Sequence, residues 1–318
     1  MMVEPSSYRP PWYLPGTDLQ SIIPQVARNL ANIEYRRERI GTPDGDFLDL
    51  DWSEVGGTKV AILAHGMEGN SRRPYMLGMV NAFNRAGWDA LAWNMRGCSE
   101  EPNRQPAFYH AGLTGDLEVV VARVLAKQVY ESLVLIGFSL GGNLILKYLG
   151  ECGTAVPKPL VASVNFSVPL DLADGAEQLH RRRNALYLHH FLRRFRSKIE
   201  KKAALIPDAI STEGFEQIRD LRDFDAYYTV PLHGFSSVDE YWYENSCLPW
   251  LPRIAIPSLI VNGRNDSFLG AKCYPVDLVT ELEQVYLEMP AGGGHVGFPA
   301  GGGRYWSEER AVEFVSGI

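Results

Sequence analysis

Six short apolar runs restrict this chain more than any other feature. They are KVAILA (59–64), WDALAW (88–93), SLVLIGF (132–138), LVASVNF (160–166), IPSLIVNG (256–263) and QVYLEM (284–289), and none alternates cleanly between apolar and polar residues. A strand with one wet face alternates with period two, so these runs belong to strands covered on both faces. Between them, 74–87, 112–128, 141–151, 277–283 and 307–317 carry apolar residues at helical spacing. Such alternation predicts an α/β fold, a mostly parallel central sheet with helices on both faces. FLDLDW (47–52) differs: apolar and acidic residues alternate ahead of Gly56-Gly57, which predicts an outer, half-exposed strand.

The rhythm fails once. Residues 170–250 carry helical patterning and no strand-like core run, which predicts a helical insertion that caps the ends of the strands. Within it, LYLHHFLRRFRSKI (186–199) places Leu188, Phe191, Leu192, Phe195 and Ile199 on one helical stripe, with most cations outside it. Residues 1–40 start Pro- and aromatic-rich and read as an N-terminal flap packed on the body. Pro24 is expected to interrupt any long helix there. The whole, 1–318, reads as a single domain with that cap.

Charge and cysteine usage narrow the partners. With 46% hydrophobic residues and a formal net charge of −7, the chain is neither disordered nor suited to nucleic acid through bulk charge. Yet His180–Lys202 hold nine Lys or Arg against one Glu, a local excess of +8. A solvated helix face is the simplest reading of that segment; attraction of anionic substrate or peripheral membrane contact is the alternative. Cys98, Cys152, Cys247 and Cys273 lie far apart, with no CxxC and no histidine at ligand spacing. Neither a disulfide framework nor a metal site is expected, and reducing conditions fit. The start MMVEPSSYRPPWYLPG has no signal-peptide pattern and no run approaches 18 apolar residues, so a cytoplasmic protein without a transmembrane segment is expected.

The chemistry concentrates after the strand runs. Gly137-Phe138-Ser139-Leu140-Gly141 follows one buried-strand signal and opens a helical one, the setting of a nucleophile elbow. A tight turn there projects the Ser139 hydroxyl, and the Leu140 amide at the helix start can face an oxyanion. A second donor is expected in the loop after 59–64, where His65-Gly66-Met67-Glu68-Gly69 offers the Met67 amide. Asp266 lies just beyond the run 256–263, and His295 in the glycine-rich loop beyond 284–289. The order Ser139, Asp266, His295 suits an imidazole that takes the serine proton while a carboxylate fixes its tautomer.

Other polar residues are weaker candidates. His65 is read as a hydrogen-bonded turn residue, and Arg96 as anchoring its loop to nearby acids, with binding of a carboxylate or phosphate as the alternative. His110 and His233 are candidates to line a pocket. Tyr227, Tyr228, Phe235, Tyr241, Trp242 and Tyr243 would form either an apolar pocket wall or the insertion's own core.

Taken together, PPWYLPGTDLQ, HGMEGNSRRPY (65–75), NMRGCS (94–99), YHAGLTGDL (109–117), GFSLGGN (137–143), FSVPLDL (166–172), VPLHGFSSVDEYW (230–242) and GGGHVGF (292–298) resemble the YheT-like α/β-hydrolases. These comprise bacterial predicted esterases and eukaryotic abhydrolase-domain lipases. The resemblance spans nearly the whole chain. It implies the α/β-hydrolase fold, hydrolysis of carboxylic esters through an acyl-enzyme, Ser139, Asp266 and His295 at the triad positions, and Leu140 and Met67 in the oxyanion region. Departures are modest: the start of PPWYLPGTDLQ and Asn265 beside the acid vary from the usual pattern.

The expected function is therefore a serine hydrolase of short- to medium-chain or lipid-like acyl esters, using no cofactor and no metal. Two alternatives stay open: an acyltransferase or perhydrolase with the same triad, and a non-catalytic membrane-surface module built around the basic segment. The expected partner is a small-molecule or lipid-like ester, not nucleic acid. No feature specifies an oligomeric state.

Overall fold

The computed structural model describes residues 3–28, 30 and 33–318. Nine strands form one sheet: β1 (Val3–Glu4), β2 (Arg36–Gly41), β3 (Phe47–Ser53), β4 (Lys59–Ala64), β5 (Asp89–Asn94), β6 (Ser132–Phe138), β7 (Leu160–Phe166), β8 (Ser258–Val261) and β9 (Val285–Glu288). Their spatial order is β1-β9-β8-β7-β6-β4-β5-β3-β2. Neighbours from β1 through to β5 run parallel, and β3 is antiparallel to both β5 and β2.

The helices are α1 (Gly16–Val26), α2 (Pro74–Arg85), α3 (Thr114–Leu125), α4 (Leu140–Cys152), α5 (Leu172–His180), α6 (Ala185–Leu205), α7 (Leu221–Phe224), α8 (Val230–His233), α9 (Val238–Asn245), α10 (Val276–Thr280) and α11 (Trp306–Ser316). Strand side chains divide between two helical layers. Val60, Ile62, Leu133 and Leu135 pack against α3 and α4, whereas Ala61, Leu63, Val134 and Ile136 pack against α2 and α11. Adjacent residues of a strand point to opposite faces, so a sheet buried on both sides requires an unbroken apolar run. Each buried Val, Leu or Ile contributes roughly 1.5–3 kcal/mol.

FLDLDW does not form an outer, half-exposed strand. Phe47 to Trp52 are all buried, because RRERIG (β2) adds a further strand beyond them. Arg37 stands directly opposite Asp51, and Arg39 opposite Asp49; each arginine bonds its partner's carboxylate through two nitrogens at 2.8–3.0 Å. The alternating acids thus mark cross-strand ion pairs rather than a wet face. The segment 1–40 is also more than a flap. It supplies both edge strands of the sheet, β1 and β2, and the helix α1 between them, while Met1, Met2, Asn29, Ala31 and Asn32 lie outside the described residues. Pro24 sits inside the last turn of α1 rather than ending it; the helix stops two residues later, at Val26.

Register aligns the C-terminal ends of the strands. Ala64 pairs with Gly137, Phe138 with Phe166, Phe166 with Val261, and Val261 with Glu288. The loops after β4, β6, β8 and β9 therefore open on one edge of the sheet. Between β7 and β8 the chain runs through α5 to α9. Phe195, Ile199, Phe215, Phe224 and Tyr228 form a small core there that closes on Phe108, and Leu172, Val238, Tyr241 and Trp242 form another that closes on Ala111.

The basic segment is not simply a solvated face. Lys198 and Lys202 of α6 are buried. Lys202 Nζ bonds the Asn103 side-chain oxygen at 2.8 Å and its carbonyl at 3.1 Å. Among the described residues, no helix is long and apolar enough to cross a membrane.

Candidate active site

β6 ends at Phe138 and α4 begins at Leu140, which leaves Ser139 alone on the turn with φ 52° and ψ −119°. A non-glycine residue held there stores about 1–3 kcal/mol of strain and persists only where its surroundings fix it. They do so by close approach. A β-carbon at Gly137 would lie 2.5 Å from Gly142 Cα, and one at Gly141 would lie 2.4 Å from the Ala64 carbonyl oxygen. Glycine at 141 lets the turn press against the end of β4, and glycine at 137 lets the strand end meet the start of α4.

His295 reaches this serine from the loop after β9. Its Nε2 lies 3.0 Å from Ser139 Oγ, and its Nδ1 lies 2.9 Å from Asp266 Oδ2. The Asp266 side chain is fully buried and the imidazole is 12% exposed. The Phe268 amide donates to the other carboxylate oxygen at 3.0 Å, so Oδ2 is left for the imidazole. With Nδ1–H given to the carboxylate, Nε2 turns a lone pair toward the serine hydroxyl. The Phe268 ring stacks on the imidazole, centroids 4.2 Å apart. The loop itself is tightly wound: Gly293, Gly294, Val296 and Phe298 all have positive φ. Ser167 Oγ accepts from the Val296 amide at 2.9 Å and helps to hold it.

The oxyanion candidates come together. Neither the Leu140 amide nor the Met67 amide has an acceptor among the described residues. Both residues line one cavity of ≈80 Å³, together with Tyr109, His110, Ala111, Phe224, Tyr241 and Trp242. The Met67 loop is fixed on its far side by Glu68. The Lys198 ammonium lies 2.5 Å from the Glu68 carboxylate, and the Tyr109 hydroxyl donates to the same oxygen at 2.9 Å. The Tyr75 hydroxyl accepts the Gly66 amide at 3.1 Å.

The remaining candidates separate. His110 and Trp242 line the cavity, while His233 and Phe235 stand behind His110 at 4.5 and 5.6 Å between ring centroids. Burial, with His233 beside it, holds the His110 imidazole neutral, well below its ordinary pKa. Tyr227 and Tyr243 are exposed and Tyr228 belongs to the inserted core, so of the six aromatics only Tyr241 and Trp242 reach the cavity. His65 and Arg96 are not pocket residues. His65 is fully buried, its Nδ1 on the Gly66 carbonyl at 2.7 Å and its Nε2 accepting from the Met95 amide. Arg96 grips both Asp116 oxygens at 2.6 and 2.7 Å, which ties the 94–99 loop to α3. Among the described residues, no three His, Cys, Asp or Glu side chains converge as for a metal ion.

Four contributors escaped the sequence reading: Thr17, Gln20 and Ser21 of α1, and Asn265. Gln20 Oε1 accepts from the Gly293 amide at 2.7 Å and from Asn265 Nδ2 at 3.0 Å. Asn265 Oδ1 accepts from the Gly294 amide, Ser21 Oγ from the His295 amide, and Thr17 Oγ1 donates to the Asn265 carbonyl. One helix face thereby clamps the acid loop and the histidine loop together. The signal lies in the polar residues at 17, 20 and 21, whose spacing puts them on one helical stripe opposite Leu19, Ile22 and Val26.

Comparison with known proteins agrees with this architecture. A family model described as the alpha/beta hydrolase fold matches residues 60–301. YheT of Escherichia coli K12 is 30% identical over 94% of this chain and 89% of its own length. Phospholipase ABHD3 of Mus musculus is 29% identical over 85% of this chain and 67% of its own. The structure of the Pyrococcus furiosus esterase Pf2001 superposes with a TM-score of 0.60 at 18% identity, covering 91% of this chain and 95% of that one. From its sheet order, its elbow and these matches, the chain belongs to the α/β-hydrolase family, and its likeness to YheT extends over nearly its whole length.

Proposed function

We propose that this protein hydrolyses carboxylic esters by way of an acyl-enzyme on Ser139. The observation that carries the reading is the relay in which Ser139 Oγ, His295 and Asp266 are linked at 3.0 and 2.9 Å. His295 Nε2 takes the Ser139 proton as Oγ attacks the ester carbonyl, and the carbonyl π electrons move to oxygen. The Leu140 and Met67 amides donate to that oxyanion. As the intermediate collapses, His295 returns the proton to the departing alkoxide, and the alcohol leaves. Water then gives a proton to His295 and attacks the acyl carbonyl; collapse releases the acid and restores Ser139. Asp266 stays ionised and orients the imidazole throughout.

In this reading residues 170–250 act as a cap over a single domain of 318 residues, to which the N-terminal segment adds the edge strands and α1, and the cavity beside Met67 and Leu140 receives the acyl group. Its lining by Leu140, Phe224, Tyr241 and Trp242 supports an apolar acyl group as its occupant. A relative named phospholipase supports a fatty-acyl ester as the substrate class. All four cysteines are free, which supports action in a reducing compartment such as the cytoplasm.

The test is a p-nitrophenyl ester series of increasing chain length, run on the wild type and on Ser139→Ala, with fluorophosphonate labelling in parallel. Turnover and labelling that both vanish in Ser139→Ala are expected. Turnover that survives the substitution, or a wild type that neither labels nor turns over, overturns the reading.

A further inference from the structure

Helix α1 is amphipathic in the inverted sense. Its polar residues Gln20 and Ser21 are buried, whereas Leu19, Ile22 and Val26, spaced i, i+3 and i+7, are 41%, 41% and 72% exposed. Trp12, just ahead of the helix, is 90% exposed. The inner polar face is explained by its hold on the acid and histidine loops. Among the described residues the outer apolar side chains stay two-fifths or more exposed, and exposed apolar side chains gathered on one helix face mark an interaction site.

Helix α6 extends the same surface with cations. The Tyr187 hydroxyl donates to Asp18 at 3.0 Å, which joins the first turn of α6 to α1, and Leu186 beside it is 83% exposed. Nearby, Arg182, Arg183 and Arg193 are exposed and have no carboxylate partner among the described residues; Arg181 has only Glu177 at 3.8 Å. Farther along α6, Arg196 pairs with Glu200 and Glu216, Lys198 with Glu68 and Lys202 with Asn103, while Arg194 and Lys201 have no carboxylate partner among the described residues. Arg182, Arg183 and Arg193 are thus the exposed, unpaired cations on the part of the segment that meets α1 through Tyr187. This junction borders the reactive serine, since Tyr187 packs on Phe268 at 4.9 Å and Phe268 stacks on His295.

We propose that the outer face of α1, Trp12 and Leu186, flanked by Arg182, Arg183 and Arg193, docks on a lipid layer that carries anionic headgroups. Apolar side chains enter the headgroup boundary while the arginines meet lipid phosphates, the two contributions that hold an amphipathic helix at an interface. Charge points to the lipid layer as the occupant: three exposed arginines without a carboxylate partner among the described residues complement anionic headgroups, whereas a second copy would bring the same excess of positive charge. Docking would bring the rim at Phe268 and His295 to the lipid surface, and only this last consequence rests on the ester-hydrolase reading.

Co-sedimentation of the full chain with phosphatidylglycerol-containing vesicles, against pure phosphatidylcholine vesicles, tests the proposal without any turnover. The wild type is expected to pellet with the anionic vesicles and much less with the neutral ones. Binding should fall roughly fivefold for each Arg→Gln change, or about 100-fold for Arg182→Gln/Arg183→Gln/Arg193→Gln. Trp12→Ser/Ile22→Ser should weaken binding and leave soluble p-nitrophenyl butyrate turnover unchanged, which shows the fold intact. A wild type that stays in the supernatant with both vesicles, or variants that pellet like it, overturns the proposal. So does a concentration-dependent dimer in sedimentation velocity that Ile22→Ser dissolves. Since butyrate turnover is read separately, a failure of docking is distinguishable from a failure of the esterase reading.

Discussion

The Ser21 hydroxyl accepts the backbone N–H of His295 at 2.8 Å, across 274 positions of sequence, and donates its own O–H to the Thr17 carbonyl at 2.8 Å. The imidazole that faces Ser139 is therefore set not only by its own loop but by a helix from the start of the chain. Gln20, one residue earlier, braces the same loop and the acid loop together. The geometry of the relay depends on α1 although none of its side chains touches the reacting atoms.

Removing that brace should cost rate more than binding. In Gln20→Ala the Gly293 amide and Asn265 lose their buried acceptor, which costs about 1–3 kcal/mol of stability. Misplacing His295 by about 1 Å should lower kcat on p-nitrophenyl esters about 10²-fold, with KM little changed. Ser21→Ala should behave in the same way with a smaller loss. Steady-state kinetics beside a thermal melt check this; a proportional loss of kcat and folded fraction would mean that α1 is only structural.

Asp266 accepts from the Phe268 amide on one oxygen and from His295 on the other, with its side chain fully buried. Asp266→Asn keeps the size but turns an N–H toward the imidazole, which favours the tautomer with its proton on Nε2, facing Ser139. The expected result is a drop in kcat of about 10⁴-fold with substrate binding retained. Burst kinetics and fluorophosphonate labelling rates are the measurements, and a loss under tenfold would remove Asp266 from the proposed role.

The Glu68–Lys198 pair joins the Met67 loop to α6, both side chains more than nine-tenths buried. Lys198→Met leaves a buried carboxylate unpaired and should destabilise the fold by about 3–5 kcal/mol. Adding Glu68→Gln should restore most of that loss, because the uncompensated charge is then gone. Urea unfolding of both single variants and the double variant gives the coupling. The amide of Met67 lies one residue away, so the Lys198 variant should also lose turnover where it remains folded.

The sequence made the sheet legible where burial was two-sided, since KVAILA and SLVLIGF are short, unbroken apolar runs bounded by turns, and it pointed to Ser139, Asp266 and His295 because each follows a strand end. It misled at FLDLDW, where alternation looks the same whether the polar face meets water or meets Arg37 and Arg39 of a neighbouring strand. The clamp of α1 was harder to see, because its partners at Asn265 and Gly293 are more than 240 residues away and no local pattern encodes such a distance. Lys198 and Lys202 counted as surface charge for the same reason: a lysine is read as solvated until the acceptor that buries it, Glu68 or Asn103, is brought to it by the fold.

Acid should weaken the fold through His65. The imidazole is fully buried, with both nitrogens committed to the Gly66 carbonyl and the Met95 amide, and burial lowers its pKa to about 4. An unfolded chain holds the same group near 6.5. Between these values the unfolded state binds the extra proton and the folded state does not, so stability is full above about pH 6.5 and falls as pH drops toward 4, where the loss levels off. The lowered pKa corresponds to about 3 kcal/mol over that window. His65→Gln should be less stable at neutral pH, where the ring's hydrogen bonds are lost, yet lose less stability across the window, because the buried His110 and His233 imidazoles still contribute to the fall. Denaturant midpoints measured from pH 7 to pH 4 for the two proteins give the difference in slope, and equal slopes would assign the acid sensitivity to other groups.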